Sequence, residues 1–333
     1  MRDCPDVKRC AYSGILAPHC EAFIAEKRAV GYTYRSEAEI LGEFSRFSVG
    51  FDIPPNTLTE SVVKAWIAQR PIESDRTRYH RFSIVKLFAE YLLRMGYPAY
   101  VPSVTEIGKR HEKFVPYIFT HDEIKRFFLA ADSMHPYWKT SAPRRHQVMP
   151  VLFRLLYCCG LRVSEATGLL GGDVDLRAGI LTIRDSKFNK NRYVPMSEEM
   201  TSICVRYAKT RLVSDTDDWF FAARHGGRYG NRTVYTAFRE LLLEAGISHG
   251  GRGKGPRVHD MRHTFAVHCL QKWTKDGANI TTALPYLREY LGHNTLDATE
   301  RYLRMTAEVY PEISALMQEE YGHLVPREGV VAI

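Results

Sequence analysis

No apolar run in this chain is long enough to be expected to cross a bilayer. Stretches such as residues 151–161 are short and broken by Arg154, whereas a spanning helix needs about 20 apolar residues. The first ten residues are charged from the start, so no signal peptide is expected. The seven cysteines are odd in number and have no recurring short spacing, and two of them, Cys158 and Cys159, are adjacent in an apolar helical segment. That pattern argues against a disulfide framework or a zinc knuckle and makes a reducing cytoplasm the expected location. Internal repeats are lacking, and apart from the glycine-rich residues 250–255 there is no low-complexity tract.

What is present fits a globular protein. At 333 residues the chain exceeds one average domain, since single cores stop growing at roughly 250 to 300 residues. Two domains are expected. Hydrophobic residues at 45% and charged residues at 25% supply enough material for sizeable cores. The net charge of +8 and the pI near 9.0 favour an anionic partner, nucleic acid or a membrane surface, without deciding between them.

Apolar spacing predicts a helical bundle at the start, with helices at 15–30, 36–48, 59–68 and 76–94. The last is expected to bury Phe82, Ile84, Val85, Leu87, Phe88, Tyr91 and Leu92 before Gly96 and Pro98 stop it. Its basic residues Arg76, Arg78, Arg81 and Lys86 are candidate phosphate contacts, or simply a solvated face. A proline-containing, aperiodic stretch follows, giving the division 1–103 helical domain, 104–118 linker, 119–322 second domain and 323–333 tail. The second domain reads as mixed: helices at 122–132, 146–158, 197–212, 231–245, 260–272, 282–290 and 296–302, plus a β-hairpin from 179–184 and 192–195. The expected fold class is mostly α with a small β-sheet (α+β).

Chemistry gathers in five motifs. In Gly160-Leu161-Arg162-Val163-Ser164-Glu165 a buried helix stops at glycine and another begins, so Arg162 is pre-aimed and its planar fork suits two phosphate oxygens, with Glu165 able to hold a neighbouring cation. Lys187 is placed at a hairpin tip, from which an ammonium can deliver a proton to a leaving 5′ oxygen. Lys190 and Arg192 follow on the same hairpin as further candidate DNA contacts. His259 opens a helix with Arg262 three residues on, so an anion at that N-terminus meets a dipole, an imidazole and a guanidinium together. His259 and His263 also have the four-residue spacing of a zinc helix, but Asp260 stands where that pattern wants Glu and no third ligand is placed. Leu291-Gly292-His293 presents an imidazole after a helix-stopping glycine, and Tyr302 follows nine residues later on an amphipathic segment. Taken alone, each of these motifs can be ordinary structure.

Jointly, the order R, K, H-x-x-R, G-H, Y resembles the tyrosine recombinase or phage integrase family over about residues 119–305, with the N-terminal helices similar in kind to that family's core-binding domain. Lys187 matches the family's hairpin lysine, with Lys190 close by as the alternative. The resemblance implies a site-specific DNA recombinase of integrase or transposase type. Tyr302 would attack the scissile phosphate to give a 3′-phosphotyrosine, Arg162, Arg262 and His293 would bind the nonbridging oxygens, Lys187 would be general acid and His259 would accept the tyrosine proton. It implies no metal, no ATP and no other cofactor. The expected partners are double-stranded DNA, further copies of the chain as a tetramer on paired sites, and accessory DNA-bending proteins. Residues 307–321, with Val309, Ile313, Leu316 and Met317, would be exchanged between protomers or pack on their own domain. The glycine-rich loop bearing Arg252 and Lys254 is expected near DNA. Two other readings stay open: type IB topoisomerase relaxation, and DNA binding without catalysis.

Overall fold

The structure, a computed structural model, describes residues 11–108, 115–136, 144–184, 191–210, 216–223, 226–251, 255–292 and Tyr302. It divides into two compact units, Met1–Phe114 and Val115–Ile333.

The first unit is built from α1 (Ala17–Ala29), α2 (Arg35–Ser48), α3 (Glu60–Ile67) and α4 (Asp75–Arg94). Ser74 caps α4 by accepting from the Thr77 N–H, which satisfies one of the donors that a helix start leaves open. The apolar faces meet in a core around Phe23, Phe44, Trp66 and Phe88, all fully buried or nearly so. Phe44 sits edge-on to Trp66 at 5.3 Å, a favoured aromatic arrangement. Leu87, expected in this core, is 39% exposed; α4 turns its neighbours Val85 and Phe88 inward instead. Residues just after α4 are tied down on the same core. The Leu58 N–H donates to the Pro98 carbonyl and the Tyr100 N–H to the Leu58 carbonyl, both at 2.9 Å. A 3-10 turn at Val104–Ile107 is then closed by a Ser103/Glu106 capping box.

The second unit contains α5 (His121–Asp132), α6 (Arg145–Cys158), α7 (Val163–Thr167), β1 (Val174–Asp175), β2 (Ile180–Ile183), β3 (Arg192–Pro195), α8 (Glu198–Thr210), α9 (Asn231–Glu244), α10 (Asp260–Lys275) and α11 (Ile280–Leu291). Thr120 and Glu123 form the capping box that starts α5. The strands make an antiparallel sheet in the order β1-β2-β3, with Leu181 opposite Val194 and Ile183 opposite Arg192. Leu181, Ile183 and Val194 are buried, so the sheet's inner face joins the core. At the centre of that core runs α6, with Leu152, Phe153, Leu155 and Leu156 fully buried, packed against α5, α8 and α10. A smaller cluster, Ala266, Val267, Leu270, Leu284, Leu287 and Leu291, joins α10 to α11 and includes Tyr302. The architecture is therefore mostly helical with a small three-stranded sheet. Residues 185–190, expected to form the hairpin tip, residues 293–301 and residues 307–321 lie outside the described residues.

Candidate active site

The site begins at the turn between α6 and α7. Gly160 has φ +58°, and a Cβ there would stand 2.6 Å from Phe265 Cδ1 and 2.7 Å from Leu291 Cδ2. Only glycine fits both the left-handed backbone and the close approach. That approach brings the α6 end against α10 and the end of α11, and the next residues carry the charges.

Glu165 lies at the hub. Its carboxylate accepts from Arg162 Nη1 at 2.6 Å and from the Arg162 backbone N–H at 2.8 Å. It also receives both terminal nitrogens of Arg192 at 2.9 Å, a bidentate pair, and Arg262 Nη1 stands 3.8 Å away. Burial alone would raise this acid, but the Arg192 hydrogen bonds and charge, with those of Arg162, outweigh it and hold the carboxyl at about 2.

The same arginines cap the end of α11. Arg192 Nε donates to the Tyr290 carbonyl at 3.0 Å, Arg262 Nη2 to the Leu291 carbonyl at 2.5 Å and Arg162 Nη2 to the Gly292 carbonyl at 3.0 Å. These are orphan acceptors at the negative end of a helix, so three guanidiniums there are electrostatically favoured. Arg262 also donates to the Gly160 carbonyl at 2.7 Å. It is only 1% exposed. Burial and the charge of Arg162 lower its pKa to about 10, partly offset by Glu165 and Tyr302. Three guanidiniums against one carboxylate leave this cluster net cationic.

His259 stands at the start of α10 and keeps an exposed edge. Desolvation of its inner side and the charges of Arg262, Arg162 and Arg257 push its imidazole down to about 4, so the ring is neutral near pH 7. One helical turn on, His263 lies with its ring 4.7 Å from that of His259 and perpendicular to it. Its Nδ1 is 3.0 Å from the Tyr302 hydroxyl. Tyr302 is 2% exposed, its ring among the α10 and α11 side chains and its phenol near enough to act on the charge of Arg262.

The structure thus brings together Arg162, Glu165, His259, Arg262 and Tyr302. Lys187 and His293, like Lys190, Arg252 and Lys254, lie outside the described residues. Two expected DNA contacts are corrected. Arg192 is buried with its donors committed to Glu165 and Tyr290, because β3 points it inward beside Ile183's strand. Arg81 is 2% exposed, paired bidentately with Glu73 and donating to the Trp66 and Ala68 carbonyls. Both are internal struts. Arg78 is half-buried and donates to the Ile67 carbonyl at 2.7 Å, Lys86 stands 3.8 Å from Glu90, and Arg76 is exposed.

Sequence reasoning misses His263 as the tyrosine's partner, because its four-residue spacing from His259 reads as a metal pattern. It also misses Arg184 and Arg228, which with Arg162, Thr182 and Trp219 line a recess of about 420 Å³ beside the Glu165 hub. Arg228 is held there by donating to Thr167 Oγ1 and the Ser164 carbonyl.

Comparison with known proteins places this arrangement. The model of the phage integrase family matches residues 118–308, which is 191 of 333 residues and encloses Arg162, Glu165, His259, Arg262, His263 and Tyr302. The chain belongs to that family. As a tyrosine recombinase it is an enzyme of site-specific DNA recombination. This recombinase is 30% identical over 306 residues to a putative integrase/recombinase of Sinorhizobium fredii, covering 90% of this chain and 96% of that one. It is 29% identical to the tyrosine recombinase XerC of Oceanobacillus iheyensis, covering 84% and 88%. Among solved structures, the Tn1549 transposon integrase in complex with transposon right end DNA shares the fold, with a TM-score of 0.62 at 17% identity over 89% of this recombinase and 99% of that chain.

Proposed function

We propose that this recombinase cuts and rejoins double-stranded DNA at paired specific sites through a covalent 3′-phosphotyrosine formed by Tyr302. The observation that carries the reading is the position of the Tyr302 hydroxyl, 3.0 Å from a histidine on the helix that also presents Arg262, and within electrostatic reach of that arginine. A buried tyrosine whose phenol meets a histidine and acts on the charge of Arg262 suits attack on an anionic centre.

Arg162 and Arg262 hold the nonbridging oxygens of the scissile phosphate as charge builds, together with His293. Glu165 and the α11 carbonyls fix the guanidiniums in advance, so little reorganisation is needed when charge develops. Lys187, or Lys190 beside it, protonates the departing 5′ oxygen. The broken phosphodiester's energy stays in the phosphotyrosyl bond, so the chemistry requires neither ATP nor a metal. Four copies on two DNA sites, with residues 307–321 joining protomers, complete the reading; the solved neighbour's capture with DNA supports the partner.

The test is a nicked suicide substrate taken from the DNA flanking the protein's own coding sequence. The wild-type chain is expected to form a covalent adduct and Tyr302→Phe none. An adduct that survives the substitution overturns the nucleophile, and relaxation of any supercoiled plasmid without a site requirement favours a topoisomerase instead.

A further inference from the structure

Two histidines one turn apart on α10 have different surroundings. His259, at the helix start, faces Arg262, Arg162 and Arg257. His263 lies deeper, half-buried, with Nδ1 3.0 Å from Tyr302 Oη and its ring 5.5 Å from the tyrosine ring. A general base has to stand within hydrogen-bond reach of the proton that it removes. Among the described groups, His263 has that contact in this structure, while His259 meets His263 edge-on at 4.7 Å. With its hydrogen on Nε2, the His263 ring leaves Nδ1 free of hydrogen and able to accept from the phenol. His259, crowded by guanidiniums, is a weak proton acceptor and a good neutral donor to a phosphate oxygen.

We infer that His263 is the catalytic base that takes the Tyr302 proton, leaving His259 to serve the phosphate; this rests on Tyr302 being the nucleophile. As the Oη–H bond breaks, the proton passes to His263 Nδ1 and an Oη electron pair forms the bond to phosphorus. The bond from phosphorus to the 5′ oxygen breaks, and that oxygen takes a proton from the general acid proposed above, Lys187 or Lys190. Religation runs the same transfers backward, with His263 returning the proton to the phenol.

The experiment measures the rate of adduct formation on the nicked substrate in single turnover. His263→Phe is expected to slow it about 100-fold, the lower end of what a positioned base contributes. The comparison that separates base from scaffold replaces Tyr302 by a ring-fluorinated tyrosine, whose more acidic phenol ionises without help. In that background the His263→Phe penalty is expected to shrink to a few-fold. An equal penalty in both backgrounds, or none in either, overturns the inference. If His263→Phe does not fold, His263→Asn, smaller and polar, is carried through the same pair of backgrounds and read by the same criteria. A failure of the underlying reading looks different: Tyr302→Phe would itself form the adduct.

Discussion

At the scale of single residues, the site is held by a buried acid that touches no substrate in the proposed reaction. Glu165 joins Arg162, Arg192 and Arg262, and without it three guanidiniums crowd each other beside the α11 end. Removing one partner of a buried ion pair costs roughly 3 to 5 kcal/mol, because it strands the remaining charges. The neutral Glu165→Gln keeps shape and some hydrogen bonds, so about 3 kcal/mol is expected at pH 7, read from urea unfolding. The pH dependence gives the charge its own signature. The folded carboxyl is held at about 2 against an ordinary 4.5, so its contribution is complete above 4.5 and is lost as pH falls through that interval toward 2. The stability gap between wild type and Glu165→Gln should narrow across it. A gap that stays constant from pH 7 down to pH 3 would mean that the carboxylate's charge is not what matters. Arg192 and Arg81 teach a related lesson about what a sequence shows: a buried and an exposed arginine look alike until the partner is known. Those partners, Glu165 and Glu73, are 27 and 8 positions away. Charge runs find cations, but only the fold decides which of them face solvent.

At the scale of elements, the turn from α6 into α7 is the joint on which the site depends. Gly160 provides a left-handed turn, a contact surface for Phe265 and Leu291, and the carbonyl that anchors Arg262. Alanine there would be strained by the positive φ and overpacked at 2.6 Å, a combined cost of roughly 3 kcal/mol. Gly160→Ala should therefore lower the urea midpoint and slow adduct formation through displacement of Arg262; wild-type stability in that variant would contradict the packing described here. This joint was legible in the sequence, because a glycine that ends an apolar helix just before Arg162 marks a tight turn that aims the next side chain. So were the strongly periodic helices: α4 and α6 begin and end within a residue or so of expectation, since their apolar stripes and stop signals agree. The edge strand β1 was not legible, as two residues cannot display alternation and its pairing with Leu181 and Ile180 is set by the sheet. Nor was the link between His263 and Tyr302. It joins residues 39 apart that carry no mutual pattern, and the closer pair His259 and His263 drew attention to a metal helix instead.

At the scale of the whole molecule, the division of labour between the two units can be tested by separating them. Each has its own buried core, around Phe44, Trp66 and Phe88 in Met1–Phe114 and around α6 in Val115–Ile333. The second also carries every residue assigned a chemical role above. A fragment of residues 115–333 is therefore expected to fold cooperatively and to form the Tyr302 adduct when saturated with nicked substrate. What it should lose is affinity, because the first unit's remaining exposed basic groups, Arg76 among them, go with the deleted part. Phosphate contacts release counterions, so the slope of log K against log salt becomes shallower by about 0.9 for each contact removed. Titrating both proteins on the same duplex at several salt concentrations reads this directly. The full chain should bind more tightly with a steeper slope, while the single-turnover adduct rates at saturation stay within about tenfold, a difference of roughly 1.4 kcal/mol in barrier. Equal slopes would show that the helical unit makes no electrostatic contribution to binding. An inactive but folded fragment would show that the first unit helps to build the site, and that the basic cluster around Glu165 is not sufficient by itself.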